Sequence, residues 1–422
     1  MTSRYFLTRT TNAWPRPYKA SASCDGRVSK IQPNILFLLS IYRRSGAALF
    51  PDGTMRIKHL QAIAVSLPML KPVKMSFEEV RNAENVLARI ETSDGIIGWG
   101  EAASAPTMTG ETPGSMVAAV RYLADKLEGM PADDIAAAMH RAGQYLYGNN
   151  GAKAAIEMAL FDALGQARGK PVYELLGGAR RMRIPALRLI GTGSTAGDIA
   201  ETGKRLAEGY VAIKIKVGVA SPEADAERAR AVCKAITDDG VLICADANQA
   251  WTPDEAIRFV RGIADTRIEF FEQPVAAHDV AGMARVAAAS RVKIGVDEGL
   301  HSLDDLRRHH AMNAAHGCSL KTIKLGGIQA VHDAALLCEE LGMKVNLACK
   351  IAEAGIASAG LLHLAAAIPE VDWGVSLSSP YLADDIVAAP IGLSEGHFHV
   401  PTGAGLGITV DEAKVRRYMR EA

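Results

Sequence analysis

The sequence predicts an α/β protein: a closed (β/α) barrel preceded by a smaller α+β capping domain. Three observations carry this reading. After Gly178, short apolar runs alternate with helical stretches of about ten to fifteen residues, the rhythm of a parallel sheet covered by helices. The alternation repeats often enough within one stretch to favour closure into a barrel over an open sheet. Ahead of it, residues 55–180 read as strand, strand, strand and then helices.

Taken in order, residues 1–54 read as an upstream extension or a start codon placed too early. The segment is basic and nearly free of acid (Arg4, Arg9, Arg16, Lys19, Arg27, Lys30), a composition that also admits a transit peptide. Its apolar run 35–39 lies too deep for an ordinary secretory signal. Met55 opens the first strand. Residues 86–90 alternate as a strand, Asp94-Gly95 marks a hairpin turn, and Ile96 to Ala102 returns as the partner strand. Residues 152–168 carry apolar side chains at helical spacing (Ala155, Ile156, Ala159, Leu160, Ala163, Leu164), stopped by Gly169-Lys170-Pro171. Leu175-Leu-Gly-Gly178 ends this region near residue 180. The barrel is expected over 181–388, with strands at 184–190, 212–216, 242–246, 268–272, 293–297, 319–323, 344–347 and near 372–375. Helices are expected at 222–236, 253–264 and 328–341. Residues 389–422 leave this rhythm and are expected to fold back on the capping domain.

Lys+Arg and Asp+Glu both number 47 in a chain of 422 residues. This balance argues against a general nucleic-acid or anionic-membrane surface, and no apolar stretch is long enough to span a bilayer. The six cysteines include no Cys-x-x-Cys pair, as expected of a reduced, cytoplasmic protein without structural disulfides.

Active sites in such barrels lie at the C-terminal strand ends. The third, fourth and fifth strands end in Asp246, Glu272 and Asp297, each after an apolar run. One solvated acid at a strand end is unremarkable, but three converging acids repel one another and are costly to bury unpaired. A hard divalent cation removes that cost, and carboxylate oxygens are its preferred ligands. The second strand carries Lys214 and Lys216, which alternation places on one face, and a neighbouring cation makes a lysine usable as a base. The sixth strand supplies Lys321, able to face Lys216 across the barrel, and Lys324, read as structural. Lys350 and Glu353 follow the seventh strand. A metal beside opposed lysines suits removal and return of a proton α to a carboxylate. The lysine-plus-magnesium arrangement is a known pattern of enolase-superfamily sites.

At these residues the chain resembles the enolase superfamily, in particular its muconate-lactonizing-enzyme subgroup, over nearly all of 55–422. Gly98-Trp-Gly-Glu-Ala102 and Ala159-Leu-Phe-Asp-Ala163 … Pro171 … Leu175-Leu-Gly-Gly178 are similar to the capping domain. Lys214-x-Lys216, Asp246-x-Asn248, Glu272-Gln-Pro274, Asp297-Glu298 and Lys321-x-x-Lys324-x-Gly326-Gly327 are similar to the barrel motifs. The resemblance implies a modified (β/α)7β barrel, Mg2+ or Mn2+ as cofactor, a small-molecule carboxylate substrate and a homo-oligomer. It implies Asp246, Glu272 and Asp297 as metal ligands, and Lys216 and Lys321 as the acid/base pair. Lys214, Asn248 and Glu353 would support the substrate. The expected activity is an isomerase, either a cycloisomerase or a racemase/epimerase. A dehydratase is the alternative within the subgroup, and a non-catalytic barrel is disfavoured by the intact acids and lysines. The loops expected to close the site are 68–79 and 105–111. Ser376-Leu-Ser378 stands where dipeptide epimerases of the subgroup carry Asp-x-Asp. Cys349-Lys350 departs from the small or Met residues expected there and puts a basic group at the site or on the surface.

Overall fold

The computed structural model describes residues 54–74 and 79–421. The extension read over 1–54, apart from Thr54, lies outside the described residues, as does Cys24. The five cysteines described are all free and buried.

The capping region is an antiparallel sheet of Ile57–Lys74, Glu79–Thr92 and Ile97–Ala103, joined by Met419–Arg420 against Ala64 and Val65. Gly95 makes the tight turn at φ 81°, a conformation that costs glycine little. Helices Pro113–Leu127 and Asn150–Arg168 cover the sheet, and Ile135–Tyr145 packs against both of them. A Cβ at Gly98 or Gly100 would lie 2.1 Å from the Ala159 carbonyl oxygen or 1.9 Å from that of Ala155. The Gly-Trp-Gly motif therefore lets the Asn150–Arg168 helix lie directly on the strand backbone.

The barrel strands run in chain order as neighbours: Leu187–Ile190, Ala212–Lys216, Leu242–Asp246, Phe270–Glu272, Lys293–Val296, Gly317–Leu320, Lys344–Ala348 and Val375–Ser376. All pairs are parallel, and a parallel bridge between Ala186 and Val375 brings the last strand back to the first. A helix follows each of the first seven strands, whereas the eighth runs into the short 3-10 turn Ser379–Tyr381. This is the (β/α)7β pattern. The lower interior is filled by Phe270 stacked on Trp373, 4.1 Å between ring centres, with Leu187, Ala212 and Cys244 around them. Gly317 leaves room for the indole, since a Cβ there would meet it at 2.5 Å.

Four expectations change. The run 184–190 is two strands: Arg183–Pro185 pairs antiparallel with His397–His399, and only Leu187–Ile190 enters the barrel. Pro185 has no N–H to give a ladder, and the chain changes sheets there. The run 319–323 stops at Leu320, because Thr322–Leu325 winds into a helical turn that ends at Gly326, φ 94°. The run 372–375 shortens to Val375–Ser376. Most of 68–79 is strand, with Pro68 opposite Asn82 and Val73 opposite Val80, and 75–78 lie outside the described residues.

His363 ties the barrel's last helix, Gly355–Ala367, to the C-terminal segment. Its Nδ1 accepts the Tyr173 N–H at 3.4 Å and its Nε2–H donates to the Leu406 carbonyl at 3.1 Å. Both bonds need the neutral ring, and burial holds its pKa down at about 4 against an ordinary 6.5. The unfolded chain takes up a proton that the folded chain refuses. This stabilisation is therefore complete above pH 6.5 and is lost as pH falls toward 4. His363→Gln is expected to flatten that acid limb by about 3 kcal/mol, read from denaturant melts across the range. An unchanged limb would show that His363 does not set it.

Candidate active site

Alternation and register set the first part of the site. Lys214 and Lys216 sit two apart on the second strand, so both point into the barrel. Lys216 lies level with Asp246, and Asp246 level with Glu272. Asp297 follows the fifth strand by one residue. Lys321 follows the sixth and keeps an extended backbone (φ −140°, ψ 138°), so it continues the inward series of Gly317 and Ser319. The second and sixth strands are four places apart in the eight-stranded ring. Lys216 and Lys321 thus stand on opposite walls, with the three acids on the strands between them.

Each acid is held by an ammonium group. Lys214 pairs with Glu272, and Lys216 with Asp246 at 2.6 Å and with Asn248. Lys321 pairs with Asp297, whose other oxygen takes Lys324 at 2.6 Å. Asn248 also donates to Glu298 at 2.9 Å. Ser319 donates to Glu272 at 2.9 Å and lies 3.0 Å from the Asn346 side-chain oxygen. Gln273, at φ 35°, accepts the N–H groups of Asp297 (2.9 Å) and Gly299 (3.1 Å), which fixes the fifth strand's end.

Burial raises the Glu272 pKa and, despite Lys214, the neighbouring Asp246 and Asp297 add to the rise. For Asp297, burial is outweighed by Lys321 and Lys324, so its pKa is lowered. Burial also opposes the charge on Lys214 and Lys321, yet the adjacent carboxylates prevail and both pKa values rise. Lys324 is fully buried, and there desolvation wins and its pKa falls. Glu298 is pushed up to about 7 by burial and by Asp297 and Asp246.

Lys214, Lys216, Asp246, Asn248, Glu272, Asp297 and Lys321 all line one cavity. Thr107 and Met108 of the expected loop 105–111 reach it, as do Lys350, Ser376 and Ser378, whereas no described residue of 68–79 does. Glu353 is not on the cavity wall: it is buried and accepts the Lys350 N–H at 2.9 Å, bracing the loop that carries that lysine. Several participants had no assigned part. Glu298 lines the cavity, and the Asp297-Glu298 doublet was its only signal. The Ser319–Asn346 pair was signalled only by polar residues interrupting apolar strands. Tyr381 had no local mark.

Among the described residues, no three His, Cys, Asp or Glu side chains converge as they stand on a point that could hold a metal ion. The oxygens that would ligate a cation are turned to lysines. The donor chemistry nonetheless fits one. The site presents oxygen donors only, all buried, and Glu298 Oε2 is a buried acceptor with no donor, a position a cation would satisfy. No helix among the described residues is long and apolar enough to cross a membrane.

Comparison with known proteins agrees with this architecture. Residues 59–177 match the model for the mandelate racemase / muconate lactonizing enzyme N-terminal domain, and 198–414 match the enolase C-terminal domain-like model. The chain is 33% identical to muconate cycloisomerase 1 of Pseudomonas putida, over 86% of this chain and 98% of that protein. It is 31% identical to a chloromuconate cycloisomerase of Cupriavidus pinatubonensis, over 87% and 100%. The crystal structure of muconate lactonizing enzyme from Pseudomonas fluorescens complexed with muconolactone superposes with a TM-score of 0.84 at 33% identity, over 87% of this chain and all of that one.

Proposed function

The chain belongs to the mandelate racemase / muconate lactonizing enzyme family of the enolase superfamily, and from that premise we propose that it is a divalent-metal-dependent cycloisomerase of an unsaturated dicarboxylate of the muconate kind. The observation that carries this reading is the pair of lysines on opposite walls with three carboxylates between them. Asp246, Glu272 and Asp297 would hold Mg2+ or Mn2+. When bound, the cation would supply Lewis acidity toward a substrate carboxylate.

The chain's own residues do the rest. Lys216 and Lys321 address the two faces of the carbon α to that carboxylate. As the substrate's second carboxylate adds across the conjugated double bond, a C–O bond forms and the π bond opens. An ammonium group then delivers a proton to the α-carbon, and the reverse reaction returns it. Lys214 and Asn248 position the carboxylate end.

Charge supports a dicarboxylate. Asp246, Glu272, Asp297 and Glu298 balance Lys214, Lys216, Lys321 and Lys324. A divalent cation would therefore leave the site positive. Ser376 and Ser378 offer no carboxylate to an ammonium-bearing substrate.

The test is NMR in deuterated water with Mg2+ and cis,cis-muconate. Lactone formation with one deuterium at the α-carbon supports the proposal, and a chelator should stop it until Mg2+ or Mn2+ is restored. Exchange with inversion on an amino-acid derivative, without ring closure, would make the enzyme a racemase or epimerase. Loss of water from a β-hydroxy acid would make it a dehydratase.

A further inference from the structure

Tyr381 separates two cavities. One face borders the catalytic cavity, and the ring also borders a second one lined by Lys71, Arg188, Lys204, Arg205 and Glu208. That second cavity arises where the fold is thinnest. The eighth strand is followed by a 3-10 turn, so the flank of the first strand is left to Tyr381 and the helix Thr195–Ala207. Arg188 alternates with Leu187 and Leu189 on that strand. Leu187 packs inside the barrel and Leu189 borders the catalytic cavity, so Arg188 points the other way, out of the barrel.

Arg188 is 5% exposed, yet among the described residues its guanidinium has no hydrogen bond and no ion pair, and its Nε is buried without a partner. It lies 3.6 Å from the centre of the Tyr381 ring and 5.6 Å from that of Tyr210. Buried arginines are expected to meet an anion, because stacking alone does not satisfy their N–H donors. The acids nearby are already committed. Glu201 takes Lys71 at 3.6 Å and Arg205 Nε at 2.9 Å, and Glu208 takes Arg205 at 2.7 Å. Lys204 has no ion pair among the described residues. Two acids, Glu208 on the cavity wall and Glu201 beside it, therefore face four cations, and the Nε of one of them, Arg188, is buried without a partner.

We propose that this cavity is a second anion site, distinct from the catalytic one, which takes a dianionic oxyanion on Arg188 with Lys204 as its second cation. A guanidinium fork matches two oxygens of such a group side by side. The site communicates with the catalytic cavity through Tyr381, whose hydroxyl accepts the Leu189 N–H at 3.2 Å. Phosphate and a short dicarboxylate share the required chemistry.

Calorimetric titration at low ionic strength with inorganic phosphate, and separately with succinate, tests the proposal on the full chain. One equivalent of phosphate should bind, and succinate should show one equivalent beyond any that the catalytic cavity takes; the tighter of the two at this site identifies the source. Arg188→Leu should abolish this equivalent. Lys204→Glu, on an exposed helix position that leaves the fold intact, should weaken it by about tenfold or more. No binding of either anion overturns the site, as does binding of undiminished strength in Lys204→Glu or in a folded Arg188→Leu protein, since the anion would then sit elsewhere.

Discussion

Replacing either Lys216 or Lys321 by alanine is expected to lower turnover by about 10³-fold, the usual contribution of a positioned general acid or base. The two variants should differ in stability. Asp297 pairs with both Lys321 and Lys324, so Lys321→Ala leaves it one buried ammonium partner. Asp246 has Lys216 as its ammonium partner and otherwise takes the Asn248 N–H at 2.9 Å. Lys216→Ala should therefore melt lower than Lys321→Ala. Steady-state rates, solvent deuterium incorporation at the α-carbon and thermal melts check both points together. Full turnover in a folded variant would remove that lysine from the chemistry.

Glu272→Gln should be at least as damaging, for two separable reasons. Glu272 is 1% exposed, accepts from Lys214 and Ser319, and lies between Asp246 and Asp297 in the ring. The amide keeps one acceptor but loses the charge that holds Lys214 ionised. Leaving one partner of a buried ion pair uncompensated costs about 3–5 kcal/mol. The proposed metal site also loses its central ligand. Calorimetric titration of Mg2+ should show affinity falling by about 10-fold or more, and turnover should fall with it. Undiminished Mg2+ affinity in the variant would remove Glu272 from the ligand set, whatever happened to stability.

Much of this site is legible in the chain because barrel chemistry follows a local rule. Inward residues recur every second position, and functional groups gather at strand ends. Lys214, Lys216, Asp246, Glu272 and Asp297 obey it without help from distant residues. Lys321 breaks the expected strand, since Thr322–Leu325 turns helical, but its backbone is still extended and it still points inward. Glu353 shows where the rule ends. Beyond the seventh strand the chain is a loop, and a side chain's direction there depends on its hydrogen bonds. Glu353 turns to the Lys350 N–H and not to the cavity.

By itself, then, the sequence determined the alternation of strands and helices, the parity of inward residues and the three acids and paired lysines at strand ends. These are set by neighbours a few residues apart. Tertiary structure alone decided what depends on closure of the ring. It placed the second and sixth strands on opposite walls, brought Ser319 and Asn346 to Glu272, slid Lys324 beneath Asp297 and set Tyr381 between two cavities. Those contacts join residues far apart in the chain, and no local periodicity encodes which strand end will face which.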